Sequence, residues 1–205
     1  MTNVEKRGGT LGVETRAEGD KRTLTGLAAV FNSDADIGGY WVERIEPGAF
    51  TKSLSNDVRA LINHDTGRVV GRTRSGTLRL SEDAQGLRFE LDLPNTSDGN
   101  DLWELVSRGD ISGVSFGFCV TNQSWDESVE PAVRTIKQVD LFEISPCAFP
   151  AYDDTTIGVR SLEEWRSANA PTPEITDPAA APVIRVDAIK ARLKMDLDIK
   201  VRSTR

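Results

Sequence analysis

The chain contains a single histidine, His64, so any reaction that needs an imidazole to carry a proton must use that residue. His64 closes the apolar run VRALINH and opens the turn DTGR. It therefore stands where a strand meets a loop, a position suited to a functional side chain on a rigid support. Ser115 lies in SGVSFGF, with Gly113 and Gly117 two residues to either side. Glycines there permit close backbone approach, as a substrate strand or a pair of oxyanion-binding amides requires. Glu143 is an ionisable group inside the otherwise apolar LFEISPCAF, where it must either face solvent or meet a partner such as an imidazolium. A hydroxyl, an imidazole and an acid that orients it are the parts of a serine hydrolase. Each residue also has a plainer reading: a capping histidine on the surface, a serine bonded to backbone in a β-bulge, and a glutamate on the wet face of a strand. Asp140 and Asp65 compete with Glu143 for the acid's role.

The elements that must position these groups are mostly strands. Residues 23–31 (TLTGLAAVF) and 40–45 (YWVERI) read as strands separated by the turn-rich NSDADIGG. Pro47 suits a first helical position, and Phe50 and Leu54 fall four apart in PGAFTKSLS, which predicts a helix. Leu87, Phe89, Leu91 and Leu93 alternate with charged residues, the two-residue period of a half-buried strand, and Leu78 and Leu80 do the same. Residues 97–108 (SDGNDLWELVSR) predict a short amphipathic helix. ISGVSFGFCV, VRTIKQV and LFEISPCAF suggest three more strands. The expected class is mainly β (α+β): an antiparallel β-barrel with peripheral helices.

Around this core the chain divides by composition. Residues 1–21 carry glycines among charges and few apolar groups, so a loose lead-in is expected, followed by one domain over residues 22–165. SLEEWRSAN (161–169) has a helical pattern. Residues 166–183 are rich in proline and alanine and read as a linker. Residues 184–205 hold seven Lys or Arg against three Asp, with Val186, Ile189, Leu193 and Leu197 three or four apart. That is the pattern of a basic amphipathic helix or of a frayed, solvated tail.

Composition also excludes classes of function. An apolar fraction of 38% without a run of about 20 apolar residues is that of a soluble globular chain, so no membrane span is expected. The polar N-terminus lacks the apolar stretch of a secretory signal, which makes export unexpected. One histidine and two separated cysteines leave too few soft ligands for an ordinary zinc site, and neither metal nor cofactor is expected. Cys119 and Cys147 sit in apolar segments and read as buried thiols. A formal charge of -7 argues against nucleic-acid binding.

Three segments, LINHDTGRVVGRT, RGDISGVSFGF and LFEISPCAFPAYDDT, resemble the signature blocks of the tailed-phage (caudovirus) prohead serine proteases and occur in that family's order; IEPGAF resembles a weaker fourth. The resemblance spans roughly residues 22–160. It implies that His64 is the general base, Ser115 the nucleophile and Glu143 the orienting acid, with Asp140 and Asp65 still open for the last role. It also implies a fold similar to the herpesvirus capsid-assembly proteases. The implied function is a maturation endopeptidase in the host cytoplasm, inside the immature prohead, that cleaves the scaffolding segment of the major capsid protein and then itself. A homodimer is among the arrangements the resemblance allows. A non-catalytic capsid assembly or scaffold module on the same fold is the alternative.

Overall fold

A computed structural model of the chain describes residues 4–9, 12–19, 21–150 and 165–169. In chain order the strands are β1 (Glu5–Gly9), β2 (Val13–Glu18), β3 (Lys21–Val30), β4 (Ala35–Ile37), β5 (Trp41–Ile45), β6 (Arg59–Ile62), β7 (Asp65–Arg72), β8 (Leu78–Glu82), β9 (Gly86–Asp92), β10 (Gly113–Asp126) and β11 (Ala132–Cys147). A 3-10 helix occupies Thr51–Ser55, and helix α1 occupies Ser97–Ser107. The larger sheet runs β1-β10-β11-β5-β4, with β6 also paired to β11 and β7 to β6; the smaller runs β2-β3-β9-β8. Their inner faces bury Leu24, Phe89, Leu91, Phe116, Phe118 and Ile144, among others, in one apolar core. The fold is therefore mainly β, but it is not the antiparallel barrel that strand counting suggested. Neither sheet closes on itself among the described residues, and β11 pairs in parallel with both β5 and β6.

The length of β11 is the physical reason. Its early half takes β5, from Ala132 to Ile136, and its late half takes β6, at Glu143 and Ile144. Between these two the edge of β11 that faces away from β10 would be left unpaired inside the protein. The connection through the 3-10 helix fills the gap. The Val139 amide donates to the Ala49 carbonyl at 3.0 Å. The fully buried Ser53 hydroxyl donates to the Val139 carbonyl at 2.6 Å and accepts from the Leu141 amide at 3.0 Å. The helix expected in PGAFTKSLS is thus present as a tight 3-10 turn, Thr51–Ser55, that serves this pairing.

The three strands expected after residue 110 are two, because bulges let β10 and β11 continue where patterning suggested breaks. Helix α1 agrees with its sequence signal. Thr96 caps it by accepting from the Gly99 amide, and Leu102 and Val106 are its buried face. Cys119 and Cys147 are both buried, as expected of thiols in apolar segments. Residues 165–169 are helical, within the segment expected as a helix. Beyond residue 169 the expected linker and basic tail lie outside the described residues. Among the described residues no helix is long and apolar enough to cross a membrane.

The lead-in expected to be loose instead supplies β1 and β2, for a reason that counting apolar residues cannot detect. β1 is held by charge. Arg134 on β11, only 1% exposed, donates through both Nη atoms to Glu5 at 2.7 and 2.8 Å and to Glu43 of β5 at 2.9 Å. Arg7 donates to Glu43 at 2.7 and 3.1 Å and to Glu5 at 2.8 Å. The four buried groups cancel in charge. Burial alone would raise the Glu5 carboxyl, but the hydrogen bonds and positive charges of Arg134 and Arg7 hold it below its ordinary value of 4.5.

Two outcomes follow. Arg134→Met leaves Glu5 and Glu43 facing each other with Arg7 alone, and urea unfolding is expected to show a loss of about 3–5 kcal/mol; a loss below about 1 kcal/mol would contradict the cluster's role. Because the folded-state pKa of Glu5 is depressed, its contribution is present above pH 4.5 and disappears as pH falls through the lower folded value. Amide exchange of residues 5–9, corrected for the intrinsic rate at each pH, should therefore lose protection before the rest of the protein in an acid titration. Arg7, Arg134 and Glu43 are the charged groups facing Glu5 in that experiment. Simultaneous loss across the whole chain is the contrary result.

Candidate active site

β10, β11 and the turn after β6 bring together the three residues singled out in the sequence. β10 and β11 are antiparallel, with Ser115 opposite Ser145 and Gly117 opposite Glu143. Ser115, Gly117, Glu143 and Ser145 thus share one face, while Val114, Phe116 and Ile144 point into the core. The alternation is broken once. Gly117 pairs with Glu143 but the next residue, Phe118, pairs with Leu141, so Phe142 is an extra residue in β11. That bulge lets Leu141 and Ile144 both enter the core while Glu143 turns to the opposite face.

His64 reaches this face from a tight hairpin. Ile62 pairs with Asp65 across β6 and β7, which leaves a two-residue loop of Asn63 and His64, with φ of 50° and 60°. Positive φ at both positions is the turn geometry that matches sheet twist, readily adopted by asparagine but strained, by about 1–3 kcal/mol, for most other residues. Contacts with β11 offset the strain. The Asn63 amide donates to the Pro146 carbonyl at 3.2 Å, and the His64 amide donates to Ser145 Oγ at 3.2 Å. Asn63 Oδ1 accepts from the Ala148 amide at 3.3 Å.

With the turn docked, His64 Nδ1 lies 2.6 Å from Glu143 Oε1 and Nε2 lies 2.8 Å from Ser115 Oγ. An ionised carboxylate only accepts, so the short Nδ1 contact puts the imidazole proton on Nδ1 and leaves Nε2 able to take the serine proton. Such a chain can move a proton from a hydroxyl to an imidazole and steady the cation that results. Glu143 is the acid at the imidazole. Asp65 instead accepts from the Gly67 amide at 2.8 Å, and Asp140 is exposed. Burial and the negative charge of Glu143 push the Cys147 thiol up to about 11, which keeps it protonated and unreactive beside the site.

The glycines around Ser115 serve close packing. A Cβ at Gly117 would stand 2.5 Å from Glu143 Oε1, and one at Gly113 would stand 2.3 Å from Pro150 Cγ. Two contributors escaped the sequence reading. Ser145 donates to Glu143 Oε2 at 2.6 Å while receiving the His64 amide, so one buried hydroxyl fixes both the carboxylate and the histidine backbone. Its spacing of two from Glu143 on a strand was the available signal. The other is β1, whose Arg7 carbonyl accepts from Ser115 Oγ at 2.8 Å.

Ser145→Ala leaves the His64 amide without its acceptor and Glu143 Oε2 without its donor. The expected cost is about 1–3 kcal/mol in urea unfolding, with loss of the low-field His64 Nδ1 proton resonance. A sharp resonance unchanged from the wild type would show that Ser145 does not hold the pair.

The family model of the caudovirus prohead serine protease matches residues 11–168. The prohead protease of Enterobacteria phage HK97 is 33% identical over 172 residues, covering 75% of this chain and 71% of that protein. The prohead protease of Escherichia phage T5 is 26% identical over 126 residues, covering 58% and 56%. Among solved structures, the bacteriophage T4 capsid assembly protease shares the fold with a TM-score of 0.51 at 10% identity, over 72% of this chain and 98% of that one. With its match extending from the strands before His64 to well past Glu143, the chain belongs to the caudovirus prohead serine protease family.

Proposed function

We propose that Ser115 is the nucleophile of this protease, His64 its general base and Glu143 the acid that orients the imidazole. The observation that carries the reading is the continuous contact from Ser115 Oγ through both ring nitrogens of His64 to Glu143, at 2.8 and 2.6 Å. In acylation, Oγ attacks the peptide carbonyl as its proton passes to Nε2, and Glu143 stabilises the imidazolium. The same proton then goes to the departing amine, and water hydrolyses the acyl-enzyme by the reverse relay.

The substrate in this reading is the scaffolding segment of the major capsid protein, cleaved inside the immature prohead in the host cytoplasm, with cleavage of the protease itself to follow. The family match and the names of the HK97 and T5 relatives support it. Kinship of fold with the herpesvirus assembly proteases belongs to the same reading, supported by a serine and an acid on two adjacent strands and a histidine in the turn docked beside them, all in one β-rich unit. So does the division into a protease domain, a linker and a basic tail that tethers the enzyme to acidic scaffold. A homodimer is compatible with all of this. One observation favours the non-catalytic alternative: Ser115 has no exposed surface, because β1 lies over it.

Coexpression with the capsid protein of the same phage separates the two. Wild type should reduce the capsid subunit's mass, whereas Ser115→Ala and His64→Ala should lower the processing rate by on the order of 10^4 or more while remaining folded. Normal processing by either variant would rule out the assignment.

A further inference from the structure

We propose that β1 occupies, within its own chain, the position of a peptide substrate. On this view the edge of β10 takes an extended peptide bearing an acidic residue and, two residues later, a basic residue whose carbonyl meets Ser115. The inference rests on the assignment of Ser115 as nucleophile and names the class of peptide that site accepts.

The backbone supplies the first part. β1 lies antiparallel along β10 from Glu5 opposite Phe118 to Gly9 opposite Val114, the strand addition by which many proteins bind peptides. Gly8 stands opposite Ser115, and the carbonyl before it, that of Arg7, accepts from Ser115 Oγ. The hydroxyl has one hydrogen and two acceptors, the Arg7 carbonyl and His64 Nε2. While β1 is seated, a peptide carbonyl already stands against the hydroxyl, and no second peptide can reach it.

The side chains supply the second part. Arg7 points to Glu43 with its guanidinium near the Phe118 ring, and Glu5 points to Arg134. Each partner lies outside β1, so a peptide with the pattern of Glu5-Lys6-Arg7 could make the same pairs. The strand is also built to leave. To the buried cluster it contributes one acid and one base, Glu5 and Arg7, and the remainder contributes Glu43 and Arg134, which stay paired at 2.9 Å. Departure therefore strands no net charge, where separating a single buried pair would. EKRGG contains no apolar side chain, so no apolar burial of its own opposes release. A cavity of about 280 Å³ bordered by Arg7, Gly8, Glu43 and Phe116 adjoins the strand and gives the groove room for a bulkier occupant. β1 also precedes residue 11, where the family match begins.

The test is the rate at which a fluorophosphonate labels Ser115. A Cβ at Gly8 would stand 2.9 Å from both Ser115 Cβ and Pro150 Cβ, so Gly8→Val should push β1 off its seat in the full chain. A form lacking residues 2–10 provides a second route should that substitution disturb folding, which tryptophan fluorescence would report. Both should label at least about 10-fold faster than wild type, because masking scales reactivity by the fraction of open molecules. A synthetic VEKRGG should slow the open forms, and VRKEGG, with acid and base exchanged, should not. Wild type labelling as fast as both variants overturns the masking while leaving Ser115 as nucleophile. Equal competition by the two peptides overturns the acid-then-base pattern. Absence of labelling in every folded form overturns the nucleophile assignment and this inference with it.

Discussion

One extra residue in one strand carries much of this molecule's organisation. β11 must bury Leu141 and Ile144 in the core and also present Glu143 and Ser145 to the opposite face, which a regular two-residue alternation cannot do across that interval. The bulge at Phe142 resolves the conflict by resetting the phase of the strand. Everything chemical is then referenced to β11. β10 brings Ser115 across from Ser145, and the β6–β7 turn brings His64 down onto Ser145 and Pro146. Three groups far apart in the chain thereby sit on three neighbouring segments whose relative positions are set by ladder hydrogen bonds.

The positioning is reinforced where it is most strained. His64 has a backbone conformation that most side chains avoid, and it is retained because its amide and that of Asn63 are both bonded to β11. Ser145 joins the two halves of that arrangement, since the hydroxyl that receives the His64 amide also donates to Glu143. Small residues complete it. Gly117 leaves the space that the Glu143 carboxylate fills, and Gly113 leaves the space for Pro150.

A second buried polar system has a different character. Glu5, Arg7, Glu43 and Arg134 neutralise one another and join β1 to β5 and β11 across the larger sheet. Buried ion clusters of this kind add little net stability over apolar packing of the same volume, yet they make the loss of one member costly. Here the members divide evenly between a short, apolar-free strand and the body of the fold. A site whose hydroxyl must stay covered at one time and open at another is well served by such an attachment, which is specific in register without being hydrophobic.

Much of this was legible before any coordinates. The alternation of residues 86–93, the capped helix at residues 97–107 and the mainly β class follow from periodicity and local capping, which act over a few residues. The candidates themselves were legible too, because there is only one histidine, one serine flanked by glycines in an apolar strand, and one acid within an apolar run that also resembles a family block. The open sheets, the parallel pairing of β11 and the burial of the N-terminal strand were not. Each depends on partners 36 to 129 residues apart, such as Arg7 with Glu43 and Arg134 with Glu5. Local pattern carries no record of which distant charge will neutralise a buried one, so EKRGG reads as a loose segment until its partners are in place. The choice of Glu143 over Asp65 and Asp140 is of the same kind. The sequence by itself determined which residue types could do the chemistry; only the bulge in β11 and the docking of the hairpin turn decided which acid meets the imidazole and what covers the serine.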